Sequence, residues 1–268
     1  MIRDITIGQY YPAESPIHRI DARVKTVITL LYIISLFVIN SFVGYAVVIA
    51  SLAVIIKMSR VPFKFMIRGL RSLVLIIIFT AVINLLVTEG ETPLLTIWRF
   101  TVTLEGVFFA IKMCLRIILL IVGSSLLTLT TTPIKLTDGI ESLLKPLEKI
   151  GVPAHDIAMM MTIALRFIPT LLDETDKIIK AQQARGADFD TGSLASKAKA
   201  LVPILVPLFI SAFRRAEELA MAMEARCYGG SVERTRMNVM KISSIDYVAV
   251  AVFVVYFAVL VAIRIFIG

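Results

Sequence analysis

Two short stretches carry the residues best suited to a specific contact. Ala184-Arg185-Gly186 and Ala225-Arg226-Cys227 stand 41 positions apart, and each closes a long amphipathic run with Ala-Arg followed by a small residue. A cation at a helix end complements the helix dipole and the free carbonyls of the last turn. Gly186 and Gly229 likewise suit C-caps in the left-handed conformation. Capping alone accounts for either copy. The repeat of one pattern points further, to two equivalent contacts on something outside the chain.

Little other chemistry is legible. No G-x-x-x-x-G-K-[ST] stretch occurs, so the chain carries no phosphate-cradling loop of its own. His18, His155, Cys114 and Cys227 assemble neither a nucleophile with its base nor a metal or disulfide framework. No catalytic residue, metal ligand or cofactor is nominated, and no enzyme is expected.

The elements that position the two arginines follow from composition. The chain of 268 residues is 58% hydrophobic with a mean hydropathy of +0.87, well above the soluble norm of about 45–50% apolar. It reads as an all-α integral membrane protein. The first 25 residues hold Asp4, Glu14 and Asp21 among four basic residues and contain no apolar core, so no cleavable signal peptide is expected. Between Lys25 and Lys57 no charged side chain occurs, and Asn40-Ser41 with Gly44 reads as a turn in the middle. Arg23 and Lys25 precede this run; Lys57, Arg60, Lys64, Arg68 and Arg71 follow it without an acid. Both flanks belong in the cytoplasm by the positive-inside rule, which requires two short spans, about Val24–Ile39 and Phe42–Ile56.

A third span runs Leu73–Val87, followed by an acid-leaning outer loop with Glu89, Glu91, Arg99 and Glu105. The fourth, Val107–Leu129, holds Lys112 and Arg116 on one face. Snorkelling to the outer interface is the favoured account of this pair; a partner protein or lipid head group is the alternative. Gly123-Ser124-Ser125 would admit another helix at close range. Residues 130–244 then change character, with fifteen Lys/Arg against thirteen Asp/Glu and a helical apolar period. The first helix here is expected from a Thr137/Asp138 cap to Gly151, the second from about Asp156 to Arg185, and the third from about Ala195 to Tyr228, broken by Pro203 and Pro207. Ile157–Leu172 and Leu201–Phe213 are read as interfacial helices, with a membrane hairpin as the alternative. A final span, Tyr247–Ile263, completes about five crossings and sends the C-terminus outside.

The domain plan is thus a cytoplasmic arm (1–25), a four-span membrane domain (26–129), a helical cytoplasmic region with the two Ala-Arg motifs (130–244) and a last span (245–268). The spans hold almost no acids, which argues against an ion-coupled carrier. The basic excess lies at the membrane face, so no nucleic acid is expected as a partner.

The chain resembles the transmembrane (T) subunit of energy-coupling factor transporters, the vitamin and metal importers of prokaryotes. The resemblance rests on Arg19-Ile20-Asp21-Ala22-Arg23-Val24-Lys25 before the first span, on Thr132-Pro133, on the Leu143–Pro153 helix, on Ala164-Leu165-Arg166-Phe167-Ile168-Pro169, and on the two Ala-Arg motifs. Cys227 departs from the glycine usual in that family and puts a glycine-only backbone conformation in doubt, with Gly229-Gly230 able to take over the turn. The resemblance implies a multi-pass subunit of the prokaryotic cell membrane, in line with the cytoplasmic N-terminus read from the basic flanks. It joins two cytoplasmic ABC-type ATPase subunits, which hold the ATP and Mg, to a membrane subunit that captures the substrate, with several interchangeable capture subunits as one form. Ala184, Arg185, Gly186, Ala225, Arg226 and Cys227 would contact the ATPases. Met159, Met160, Ile163, Phe167, Leu205 and Phe209 would contact the capture subunit, their methionines lending the surface adaptability. A subunit dedicated to one cobalt, nickel or biotin system, and a self-sufficient channel or carrier, are the alternatives.

Overall fold

A computed structural model describes residues 10–88, 92–97, 100–187, 194–229 and 240–267. Asp4, Glu89, Glu91, Arg99, residues 188–193 and Gly230 lie outside these residues. The described chain is helical, with one short β-ribbon: α1 (Pro16–Arg19), α2 (Ala22–Val38), α3 (Phe42–Ser59), α4 (Phe63–Val87), β1 (Pro93–Ile97), β2 (Phe100–Thr103), α5 (Leu104–Thr130), α6 (Pro133–Leu144), a 3-10 turn (Lys145–Ile150), α7 (Ala154–Ala184), α8 (Leu194–Ala225) and α9 (Ser244–Ile267). It divides into two compact units, one formed by Gly8–His155 and Met240–Gly268, the other by Asp156–Val239.

In the first unit the apolar runs become helices because a helix satisfies its backbone groups within its own segment where no water can reach them. Among the described helices, α3, α5, α7 and α9 are long and apolar enough to cross a membrane, and α4 adds a shorter apolar stretch, Leu73–Val87. The two-helix reading of Lys25–Lys57 stands, with Ile39–Ser41 as the joint. Gly44 lies inside α3 and not in the turn; a Cβ there would sit 2.5 Å from the Ile39 side chain. The core joins α2 (Tyr32, Leu36), α3 (Tyr45, Val48, Leu52), α5 (Leu119, Val122, Leu126, Leu129) and Leu260 of α9. Gly123 provides the close approach expected of it, since a Cβ would meet Tyr32 Cε1 at 2.2 Å.

Helices α2 and α5 close each other's ends. Lys25, in the first turn of α2 and 7% exposed, donates to Thr130 O at 2.9 Å and to Thr131 Oγ1 at 3.3 Å, at the C-terminus of α5. Arg116 of α5 donates to Ile39 O at 3.3 Å, at the C-terminus of α2, and to Tyr45 Oη at 3.2 Å. Each cation thereby meets unsatisfied carbonyls at the negative end of a neighbouring helix. Arg116 is thus half-buried against the joint between α2 and α3, while Lys112 lies over the Phe42 ring, 5.0 Å from its centroid.

The approach to α2 is a second polar joint. Asp21 caps the helix by accepting from Arg23 N at 2.9 Å, and its own N–H donates to Asp246 Oδ1 at 2.7 Å, tying the starts of α2 and α9. Burial pushes the Asp21 carboxyl up, but hydrogen bonds from the Arg23 side chain and backbone outweigh this and hold it below the usual carboxylate range. His18 Nε2 donates to Tyr11 O at 3.1 Å, which leaves Nδ1 to accept from Ser15 Oγ at 2.7 Å. Burial is the main cause that lowers the His18 pKa.

Three expectations need correction. The ribbon of β1 and β2, paired antiparallel from Pro93↔Thr103 to Ile97↔Phe100, occupies the loop that was read only by its charge. The α6 cap is Thr132, followed by Pro133 at the first helical position; Thr137 is 2% exposed and lies within the helix. Gly139 sets α6 against the start of α2, with a Cβ placed there 3.2 Å from Ala22 Cβ. Finally, α8 runs unbroken through Pro203 and Pro207. Pro207 lacks the N–H that would bond Pro203 O, and Gln182 Nε2 of α7 donates to that carbonyl instead, at 3.4 Å.

Candidate functional site

The second unit is built on α7 and α8. Glu174 of α7 accepts from Ser211 Oγ and Arg215 Nη2 of α8. Gln182 reaches Pro203, and Tyr228 Oη donates to Met159 Sδ at 3.1 Å. As the α7 partner moves up the sequence from 159 to 174 to 182, the α8 partner moves down from 228 to 215 to 203. The two helices are therefore antiparallel.

Both helices end in the same motif. In α7, Gly186 N donates to Gln183 O at 2.9 Å and Ala187 N to Gln182 O at 3.0 Å. In α8, Cys227 N donates to Glu224 O at 2.8 Å and Tyr228 N to Met223 O at 2.9 Å. This pair of bonds is the Schellman closure, in which the residue after the C-cap takes the left-handed conformation. Gly186 has φ 88° and Cys227 φ 58°. The turn thus stays at Cys227 and does not pass to Gly229. Arg185 and Arg226 occupy the equivalent C-cap position, and all six residues of the two motifs are exposed. The left-handed backbone is where an L side chain is strained, by about 1–2 kcal/mol, so the two ends share geometry but not cost.

Their surroundings differ. Arg226 lines a cleft of about 640 Å³ between α7 and α8, together with Arg166, Arg214 and Arg215. Ile163, Phe167 and Leu219 supply its apolar lining and Glu218 a carboxylate. Arg215 is paired with Glu174; Arg166, Arg214 and Arg226 form no ion pair among the described residues. In the sequence Arg166 interrupts the apolar run Ile157–Leu172, and Arg214 and Arg215 mark where the third helix becomes charged. Their helical spacing to Arg226 was visible, but the antiparallel partner was not.

The six residues nominated for a second membrane partner separate into two groups. Met160, Leu205 and Phe209 are exposed at 61%, 58% and 65%. Ile163 and Phe167 instead line the arginine cleft, and Met159 accepts from Tyr228. On α8, Leu201, Val202, Leu205, Val206, Phe209 and Phe213 are each at least half exposed and form an apolar stripe. Among the described residues no cluster of His, Cys, Asp or Glu could hold a metal ion.

Comparison with known proteins adds the family. The family model described as cobalt transport protein (CbiQ) matches residues 13–239. The energy-coupling factor transporter transmembrane protein EcfT of Clostridium kluyveri is 59% identical over 250 residues, 93% of each chain. Proteins of the same description from Thermosediminibacter oceani and Acidaminococcus fermentans are 56% and 51% identical, covering 92% and 98% of this chain and 93% and 98% of their own. A membrane unit joined to a helix pair that ends twice in Ala-Arg, matched over nearly its whole length by such proteins, places the chain in the EcfT/CbiQ family, the non-catalytic transmembrane coupling subunits of energy-coupling factor transporters.

Proposed function

We propose that Arg185 and Arg226 each seat in a groove on one of two cytoplasmic ATPase subunits, which carry the ATP and Mg. The observation that carries this reading is the placement of two equivalent Schellman ends at opposite ends of an antiparallel helix pair. The Gln182–Pro203 contact lies near Arg185, and the α8 axis from Pro203 to Arg226 spans roughly 35 Å by helix rise. Two exposed arginines so far apart suit two partners better than one pocket. Arginine serves this role because its planar fork of donors binds carboxylates and carbonyls in a fixed orientation, which lysine does not reproduce. Closure of the ATPase pair would move the two anchored ends relative to each other. The exposed apolar stripe of α8 would carry that motion to a substrate-capture membrane subunit. In this reading the N-terminus and the helix pair face the cytoplasm of a bacterial cell, the C-terminus lies outside, and Ile157–Leu172 and Leu201–Phe213 line the membrane.

The test is the assembled complex carrying Arg185→Ala with Arg226→Ala. Loss of ATPase association and of substrate uptake is expected, each single change weakening the interface by about 2–5 kcal/mol if the arginine's partner is a buried charge. Unchanged association and uptake would refute the assignment.

A further inference from the structure

We infer that the arginine-lined cleft between α7 and α8 is a docking groove for an acidic segment of the partner bound at Arg226, making the two ends of the helix pair unequal. This rests on the reading that the α7–α8 unit meets an ATPase subunit. Arg214 and Arg226 both line the cleft, twelve residues or roughly 18 Å apart along the α8 axis. Arg166 of α7 enters between them, since the antiparallel register puts it between the Glu174–Arg215 and Met159–Tyr228 contacts.

Three arginines that form no ion pair among the described residues thus stand along one groove between α7 and α8. Ile163, Phe167 and Leu219 give the groove an apolar lining. An extended segment at about 3.3 Å per residue would place five or six residues along 18 Å, its alternate side chains pointing to opposite faces. Carboxylates on one face would meet the guanidinium forks, and apolar side chains on the other would meet the lining. A lipid surface fits less well, because the cations line a concave cleft that also holds the Glu218 carboxylate. The other end is built differently: no arginine occurs in the last three turns of α7, where Lys177 and Lys180 are the cations.

The experiment uses the whole transporter complex with Arg166→Gln and Arg214→Gln together, Arg185 and Arg226 being kept. Retention of the ATPase subunits is measured from about 0.05 to 0.5 M salt, a range over which exposed charge attraction is progressively screened. Retention is expected to weaken about tenfold or more at low salt and to lose much of its salt dependence, with Lys at both positions restoring part of it. In the otherwise unchanged chain, a photo-crosslinking residue in place of Leu219 is expected to join an ATPase subunit. Unchanged retention, or crosslinks only to lipid or to another membrane subunit, overturns the proposal. Arg226→Ala and Arg185→Ala run beside these variants. If they weaken retention and the Gln pair does not, the groove fails and the anchors stand. If none of the variants has an effect, the anchor reading fails as well. Should the Gln pair misassemble, the crosslink alone decides.

Discussion

Arg185 and Arg226 hold the same C-cap position of the same hydrogen-bonded turn, at opposite ends of an antiparallel helix pair. Their likeness is in sequence and backbone, and their difference is in what surrounds them. Arg226 opens on an arginine cleft, whereas Arg185 follows a helix end with lysines alone.

The strain at Cys227 is testable. Cys227→Gly should stabilise the end of α8 by about 1 kcal/mol, because glycine adopts positive φ without the Cβ conflict. Gly186→Cys should destabilise the end of α7 by a similar amount, through backbone alone, since a Cβ there meets no atom within 4 Å. Amide exchange at Tyr228 and Ala187, the final donors of the two turns, reads each effect directly. Exchange should slow at Tyr228 in the first variant and quicken at Ala187 in the second.

Arg116→Leu should lower stability by about 2–3 kcal/mol, because Ile39 O and the Tyr45 hydroxyl lose a charged donor inside the helix bundle. Arg116→Lys should recover less than half, since one ammonium does not span both acceptors. Thermal unfolding of the purified complex in detergent, followed for all three proteins, gives the ranking. Equal midpoints for Leu and wild type would remove Arg116 as a structural joint.

Gly123→Ala should cost about 1–3 kcal/mol through overpacking against the Tyr32 ring. Tyr32 has little room to retreat, because its hydroxyl donates to Leu119 O at 3.0 Å. Adding Tyr32→Leu should relieve the clash, so the double variant should cost less than the sum of the singles. Additive losses in the same unfolding assay would contradict this contact.

The pH dependence should be visible at His18. Burial lowers its folded pKa, so folding favours the neutral ring that donates to Tyr11 and accepts from Ser15. That contribution is complete above the ordinary value of 6.5 and is lost as the pH falls through the lower folded value. Melting curves taken from pH 8 down to about 5 should therefore fall more steeply for the wild type than for His18→Gln. Asp21, also depressed, adds its loss only in more acidic solution.

The local physics of the chain made much of this legible. Long apolar runs set the helices of the membrane unit, since a helix is the structure that satisfies its own backbone in hydrocarbon. The two Ala-Arg-small endings marked where α7 and α8 stop, and Gly186 behaves as a left-handed cap must. What pattern alone could not decide were the partners across space. Arg116 was legible only as a cation near the outer end of a span; that it closes α2 was not, because Ile39 O and Tyr45 lie beside it only in three dimensions. Pro203 and Pro207 read as breaks, yet α8 continues, and a glutamine from α7 takes up the carbonyl that Pro207 leaves free. The same antiparallel pairing separates the two arginines and gathers Arg166, Arg214 and Arg226 around one cleft. Helix periodicity reports which residues share a face, but only tertiary packing determines what that face meets.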